Sequence, residues 1–227
     1  DENHYTTAFD LAILMQYCMK NDTFRKIAGS ASCSIPATNK YGVRSYNSTN
    51  ELIIPNNKNY YQYVTAGKTG YTSQAGDCLV SCSYKDDLEL ICVVLGGKTV
   101  NGVSTRFSES RELYEYGYNN YSIKTLINKD SVVSQIEIEN ATKDTKNLDL
   151  LISQDITALV NNSENYDNLV PELNINETVQ APIDEGTVIG TAVYDIDGIQ
   201  YTSNLIASHY VEESKFLEVI LKIGILI

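Results

Sequence analysis

The chain has 227 residues, room for one large or two modest domains, with 17 basic against 29 acidic side chains and a net charge of −12. So acidic a surface repels phosphate backbones and argues against nucleic-acid binding, while 43% hydrophobic and 20% charged residues are too apolar a mixture for a disordered chain. No run of about 20 apolar residues is present to span a bilayer, and Asp1-Glu2-Asn3-His4 lacks the basic start and apolar run of a signal peptide.

In chain order, Thr6 or Thr7 caps a first helix, with Asp10 placed where the helix dipole favours a carboxylate. Leu11, Leu14, Met15 and Cys18 then follow at the spacing of one buried stripe, and Asn21-Asp22 breaks the helix. From Ser30 to Asn59 the composition is rich in Ser, Asn, Thr and Pro, which reads as loop or weakly paired edge structure with a short strand at Glu51–Ile54. Three extended segments come next, Tyr60–Thr69, Cys78–Tyr84 and Glu89–Leu95, the last two joined through Lys85-Asp86-Asp87 as an antiparallel hairpin. Gly96-Gly97 ends it, and a helix from about Phe107 to Tyr118 presents Leu113, Tyr114 and Tyr118 as its apolar face.

Near Tyr121 the pattern changes to short alternating segments: Val132–Glu139, Leu148–Ile152, Ile156–Val160, Val188–Ile196 and Ile199–Ile206. Asp197-Gly198 between the last two is a strong hairpin signal, and strands at this spacing predict a small β-sandwich or barrel. The expected organisation is therefore residues 1–120, residues 121–212, and an apolar segment at 213–227. Phe216–Ile227 is interrupted only by Glu218, Lys222 and Gly224. It is too short to cross a membrane and reads as membrane-associating, either an interfacial helix or the first half of a spanning one; the alternative is a helix packed on the sandwich.

The five cysteines cannot all pair and form no Cys-x-x-Cys metal signature. Cys78 and Cys82, four residues apart on a strand, are separated by roughly 13 Å, too far for a disulfide. Together with Cys92 they are expected to be small core hydrophobes.

Ala66-Gly67-Lys68-Thr69-Gly70-Tyr71-Thr72 is the chemically informative stretch. A phosphate-binding P-loop requires glycine where Gln62 stands and a helix after Thr69, and the sequence offers neither. Lys-Thr-Gly on an edge strand instead suits acyl transfer on a peptide ending in a free carboxylate, as in serine penicillin-recognising enzymes. Lys68 supplies a positive charge beside the reacting centre, and Thr69 a hydroxyl for the carboxylate. Gly70 lets substrate backbone lie against the strand, and the Tyr71 N–H can face a developing oxyanion.

The surrounding residues are informative as an ordered set. His4-x-Thr6-Thr7-Ala8-x-Asp10-Leu11-Ala12, Lys68-Thr69-Gly70-Tyr71-Thr72, Ala75-Gly76-x-Cys78-Leu79, Val93-Val94-Leu95-Gly96-Gly97 and Arg106-x-x-Glu109-Ser110 follow one another. In that order they resemble the second half of the D-alanyl-D-alanine carboxypeptidases, the low-molecular-mass penicillin-binding proteins. Ala181-Pro182-Ile183 with Gly186 and Gly190 is similar to the β-rich C-terminal domain of that family, and the terminal apolar segment stands where its membrane anchor does. The family usually has glycine two residues before the lysine; here Ala66 holds that place and Gly67 adjoins Lys68, for which a small change in strand packing is expected.

The resemblance implies an α+β fold: part of a penicillin-binding/β-lactamase-like transpeptidase domain, an antiparallel sheet with helices, followed by a small all-β sandwich. It implies serine-type removal of the terminal D-alanine from peptidoglycan stem peptides ending in D-Ala-D-Ala, β-lactam antibiotics as ligands, no metal or organic cofactor, and a location at the extracytoplasmic face of the bacterial membrane. Lys68 and Tyr71 would be catalytic, and Thr69, Gly70 and Arg106 substrate-binding; the alternative for Arg106 is an ion pair with Glu109 along one helical face. His4 and His209 are expected to be structural. The family's Ser-x-x-Lys nucleophile element is absent, since no serine here has a lysine three residues on, and no Ser-x-Asn stands in the expected place ahead of the first helix. The chain thus resembles the latter part of such an enzyme, expected to be inactive alone; its first unit, with an unpaired edge and an uncovered apolar face, is expected either to be partnered by its other half or a second copy or to be markedly less stable than the β domain. A noncatalytic cell-wall-binding or scaffold module of the same fold, or a β-lactamase, are the alternatives.

Overall fold

The structure, a computed structural model, describes residues 3–176 and 178–214; the apolar segment expected to meet the membrane at 216–227 lies outside them. The chain divides into two units, residues 1–122 and 123–227.

In the first unit, α1 (Ala8–Cys18) opens with a reciprocal cap. The Asp10 N–H donates to Thr7 Oγ1 at 3.0 Å and the Thr7 N–H to Asp10 Oδ2 at 3.1 Å. Of the expected stripe only Met15 is buried; Leu14 is 55% exposed, with Phe9, Ile13 and Tyr17 beside it. Asn21, expected as a breaker, does more than end the helix. Its Oδ1 accepts from the Phe24 N–H at 3.0 Å and starts α2 (Asp22–Ala28). β1 (Ser32–Ile35) and β2 (Arg44–Asn47) form an exposed antiparallel hairpin. The strand expected at Glu51–Ile54 is instead a 3₁₀ turn over Glu51–Ile53. Adjacent Leu52 and Ile53 are both buried, which the two faces of a strand would not allow here, and Asn50 Oδ1 accepts from the Leu52 N–H at 3.2 Å to start the turn.

β3 (Val64–Thr72), β4 (Gly76–Lys85) and β5 (Leu88–Gly97) make an antiparallel sheet in that order. β3 begins later than expected because the backbone before it bonds elsewhere: Tyr61 N–H to the Leu52 carbonyl at 2.9 Å, and the Asn59 and Tyr60 carbonyls to Arg111 Nη2 at 3.0 and 2.8 Å. Asp86 and Asp87, both at positive φ (50° and 63°), close the β4–β5 hairpin in two residues. After the short β6 (Thr99–Val100) and β7 (Val103–Ser104) hairpin, α3 (Arg106–Asn120) buries Phe107, Ser110, Tyr114 and Gly117, while Leu113, expected inside, is exposed. The two faces of the sheet carry separate cores. Leu79, Cys92 and Val94 pack with Phe107 and Tyr114 of α3, whereas Ala66 and Cys82 pack with Met15 and Met19 at the end of α1. Serines on β4 serve the α3 face, Ser81 accepting from the Tyr114 hydroxyl at 2.8 Å and Ser83 pairing with that of Tyr118 at 2.6 Å.

Cys82 and Cys92 are buried as expected, and burial pushes the Cys82 thiol up to about 12. Cys78 is only half-buried; its position opposite Gly70 leaves its side chain at the border of a recess.

The second unit contains β8 (Tyr121–Ile127), β9 (Val132–Glu137), β10 (Asn147–Ile152), β11 (Ile156–Asn161), β12 (Glu172–Ile175), β13 (Val188–Ile196) and β14 (Ile199–Ala207). Five strands in the order β12-β13-β14-β10-β9 and the pair β8-β11 enclose a common core. Alternate residues of β10 (Leu148, Leu150, Ile152) and β11 (Ile156, Ala158, Val160) meet Ala192, Tyr194 and Leu205 there. Asp197 and Gly198, at φ 53° and 80°, turn β13 into β14. β8 and β12 are additions to the strands expected from sequence.

The exposed apolar row on α1 and the sealed core of the second unit differ in how much they can resist local opening. Amide hydrogen exchange is expected to be faster in α1 and α2 than in β10, β13 and β14; uniformly slow exchange across both units of a monomer overturns this.

Candidate active-site groove

β3 pairs with β4 alone among the described residues, so its other side is open. Along it the residues alternate between the two cores. Ala66 is fully buried against the α1 side. Gly67 follows, and here the sequence departure has its reason: a Cβ at this position would lie 2.5 Å from Asn50 Nδ2 and 3.1 Å from Ser81 Cβ.

Lys68, opposite Val80, is exposed. Its ammonium donates to the Thr69 carbonyl and makes no ion pair among the described residues. It borders two recesses: one of about 490 Å³ shared with Phe24, Cys33, Tyr46 and Asn50, and one of about 330 Å³ shared with Leu11, Met15, Cys18 and Cys78. Thr69 borders both as well; it is only 8% exposed, and its hydroxyl meets that of Thr49 at 2.5 Å. Gly70 stands opposite Cys78, and its carbonyl accepts from Arg106 Nη1 at 3.2 Å. Tyr71 is 70% exposed and borders a third recess, of about 770 Å³, with His4, Tyr5 and Leu95.

Arg106 reaches the strand from the start of α3. Its Nη1 lies 3.7 Å from Asp77 Oδ1 and 3.5 Å from the Cys78 carbonyl, and its guanidinium covers the Phe107 ring. It makes no ion pair with Glu109 among the described residues. The guanidinium thus braces the adjoining ends of β3 and β4. Asp77 is held below the usual carboxylate range by the neighbouring Ser104 and Thr99 hydroxyls and by Arg106, against a desolvation cost; of the two hydroxyls only Thr99 donates at normal geometry, at 2.9 Å.

His4, expected to be structural, is exposed at the edge of the Tyr71 recess, because capping of α1 at Thr7 leaves the residues before it beside the end of β3. His209 lies in the second unit with Nδ1 2.9 Å from Ser208 Oγ. Among the described residues no group of three or more His, Cys, Asp or Glu side chains is placed to hold a metal.

Sequence reasoning missed Ser48-Thr49-Asn50, which borders the recess of Lys68 and Thr69. It is a Ser-x-Asn tripeptide, but it lies after α1, and Ser48 Oγ accepts locally from the Asn50 N–H at 3.1 Å; among the described residues Asn50 Nδ2 is buried without a partner.

Residues 1–99 match the D-alanyl-D-alanine carboxypeptidase family, and residues 121–213 match the C-terminal domain of penicillin-binding protein 5. Both matches support a low-molecular-mass penicillin-binding protein. Among curated members of this carboxypeptidase family, DacF of Bacillus subtilis is 26% identical over 87% of this chain and 48% of its own length. DacC of Escherichia coli is 31% identical over 74% and 40%. Penicillin-binding protein 5 from Haemophilus influenzae superimposes with a TM-score of 0.54 at 26% identity, over 94% of this chain and 58% of that one. A peptidoglycan synthesis regulatory factor (PBP3) from Streptococcus pneumoniae shares the fold, with a TM-score of 0.60 at 18% identity over 91% and 57%. The chain spans about half the length of the curated carboxypeptidases it matches.

Two expectations test this groove. Gly67→Ala forces Asn50 or Ser81 to move and is expected to cost roughly 1–3 kcal/mol, read from urea denaturation; an unchanged midpoint contradicts the packing. The lowered Asp77 pKa contributes stability that is full above about 3.9, the ordinary carboxylate value, and is lost as pH falls through the folded value. Asp77→Asn should therefore flatten part of the acid limb of a stability–pH profile below about pH 5, and superimposable profiles count against it.

Proposed function

We propose that this chain forms one wall and the β domain of a serine-type D-Ala-D-Ala carboxypeptidase that trims peptidoglycan stem peptides. The observation that carries the reading is the Lys68-Thr69-Gly70 run on an open edge strand, with an ammonium that makes no ion pair among the described residues and borders two recesses. A peptide laid along β3 uses the outward backbone groups of an edge strand, with Lys68 and Thr69 beside its terminal carboxylate. A serine from another part of the enzyme attacks the carbonyl between the two D-alanines. The ester forms, the C–N bond breaks, D-alanine leaves with a proton, and water later releases the shortened peptide. The Tyr71 N–H supplies half of the oxyanion hole and the nucleophile's own N–H the other half. Gly70 keeps the strand open to the substrate, and Arg106 holds the Gly70 carbonyl and so the strand end that carries Tyr71. β-Lactams enter as acylating analogues of the same dipeptide. The site faces the extracytoplasmic side of the membrane, with residues 216–227 at the lipid surface and the exposed row of α1 covered by the other half of the domain or by a second copy.

The second reading is a noncatalytic cell-wall module of the same fold. The 227 residues alone are expected neither to release D-alanine nor to retain labelled penicillin, and a covalent adduct on them overturns this. Expressed with the segment encoded ahead of it, the chain should release D-alanine, and Lys68→Ala should lower kcat/KM by roughly 100-fold or more. Full activity of that variant removes Lys68 from the mechanism, and an upstream segment without Ser-x-x-Lys decides for the noncatalytic module.

A further inference from the structure

We infer that Thr49 is a positioning residue for Thr69: by donating to the Thr69 oxygen when a carboxylate is bound, it holds the Thr69 hydroxyl proton toward that carboxylate and so adds to the groove's preference for a carboxylate over an uncharged peptide end. This rests on the proposed role of Thr69 in binding the substrate's terminal carboxylate. The two hydroxyl oxygens are 2.5 Å apart, and this is the hydrogen bond that the Thr69 hydroxyl makes among the described residues. Thr69 is nearly buried, whereas Thr49 is exposed beside the Lys68 recess.

A hydroxyl has one proton and two acceptor sites. If Thr69 gives its proton to Thr49, it turns lone pairs toward an incoming carboxylate, which can only accept. If Thr49 donates instead, the single Thr69 proton stays available to the ligand, and Thr49 keeps water for its own acceptor sites. A carboxylate therefore selects the second arrangement, while a C-terminal amide, which can also donate, fits either. The placement of Thr49 is fixed from both sides: the Ser48 N–H donates to the Ala31 carbonyl at 2.8 Å, and Asn50 is buried at the start of the 3₁₀ turn, with its N–H on Ser48 Oγ. The Lys68 ammonium is held on the Thr69 carbonyl, so the charge and the hydroxyl proton converge on one residue.

The test is NMR titration of the isotope-labelled 227-residue chain with Nα-acetyl-D-Ala-D-Ala and with its C-terminal amide. The wild-type chain should bind the acid more tightly. Thr49→Val and Thr49→Ala, both at an exposed position, should weaken the acid by about three- to tenfold, the worth of one neutral hydrogen bond, and leave the amide unchanged; Thr49→Ser should restore the acid. Variants that keep the wild-type ratio of acid to amide overturn the inference and leave the Thr69 reading standing, as does an equal loss for both ligands, which marks a structural role. A wild-type chain that shows no preference for the acid, or binds neither ligand, overturns the inference and the reading of Thr69 together.

Discussion

Everything proposed for the first unit depends on β3 being claimed by a core on each face while keeping one side open. Ala66 is committed to the Met15 and Met19 cluster, and Gly67 has no room for a side chain because Asn50 lies against it. Thr69 is drawn inward to Thr49. Between these fixed points Lys68 has one direction left, into the recesses, whose lining residues include no acidic side chain, and among the described residues it makes no ion pair. A preorganised cation is useful for catalysis because no reorganisation is needed when the substrate's charge arrives.

The far end of the strand is held by a different device. Arg106 and Asp77 face each other where β4 leaves the Thr72–Gly76 connection, and the guanidinium reaches across to the Gly70 carbonyl. At 3.7 Å and with both side chains largely buried, this ion pair has its own desolvation to offset and contributes little by itself. Its value lies in geometry, since it ties the first turn of α3 to the backbone on which Tyr71 sits. Arg106, which resemblance placed as a substrate contact, braces the strand end through Nη1, while among the described residues its Nε is buried without a partner.

Much of this was legible in the sequence where short-range chemistry dominates. The β4–β5 and β13–β14 hairpins are announced by turn residues that tolerate positive φ, Asp86-Asp87 and Asp197-Gly198, between apolar runs. The Thr7 cap and Lys68 through Tyr71 were equally readable, the latter from an ordered set of motifs. What was not legible is what tertiary contacts decide. Asn21 and Asn50 look like loop residues, yet their side chains start α2 and the 3₁₀ turn. Leu14 and Leu113 fit helical stripes and are nevertheless exposed, because periodicity says that a face is apolar and not that anything covers it. Thr49 and Asp77 carry no signal at all: each matters through a partner brought near by folding, Thr69 in one case and Arg106 in the other.

The open side of β3 has a consequence for how copies of the chain meet. A bare strand is a template that any extended segment can join, including the same strand from another molecule. Two such strands aligned head to tail about residue 68 would set ammonium against ammonium, an arrangement that like charges disfavour. The lysine that equips the strand for a small anionic guest therefore also discourages the strand from accepting its own twin.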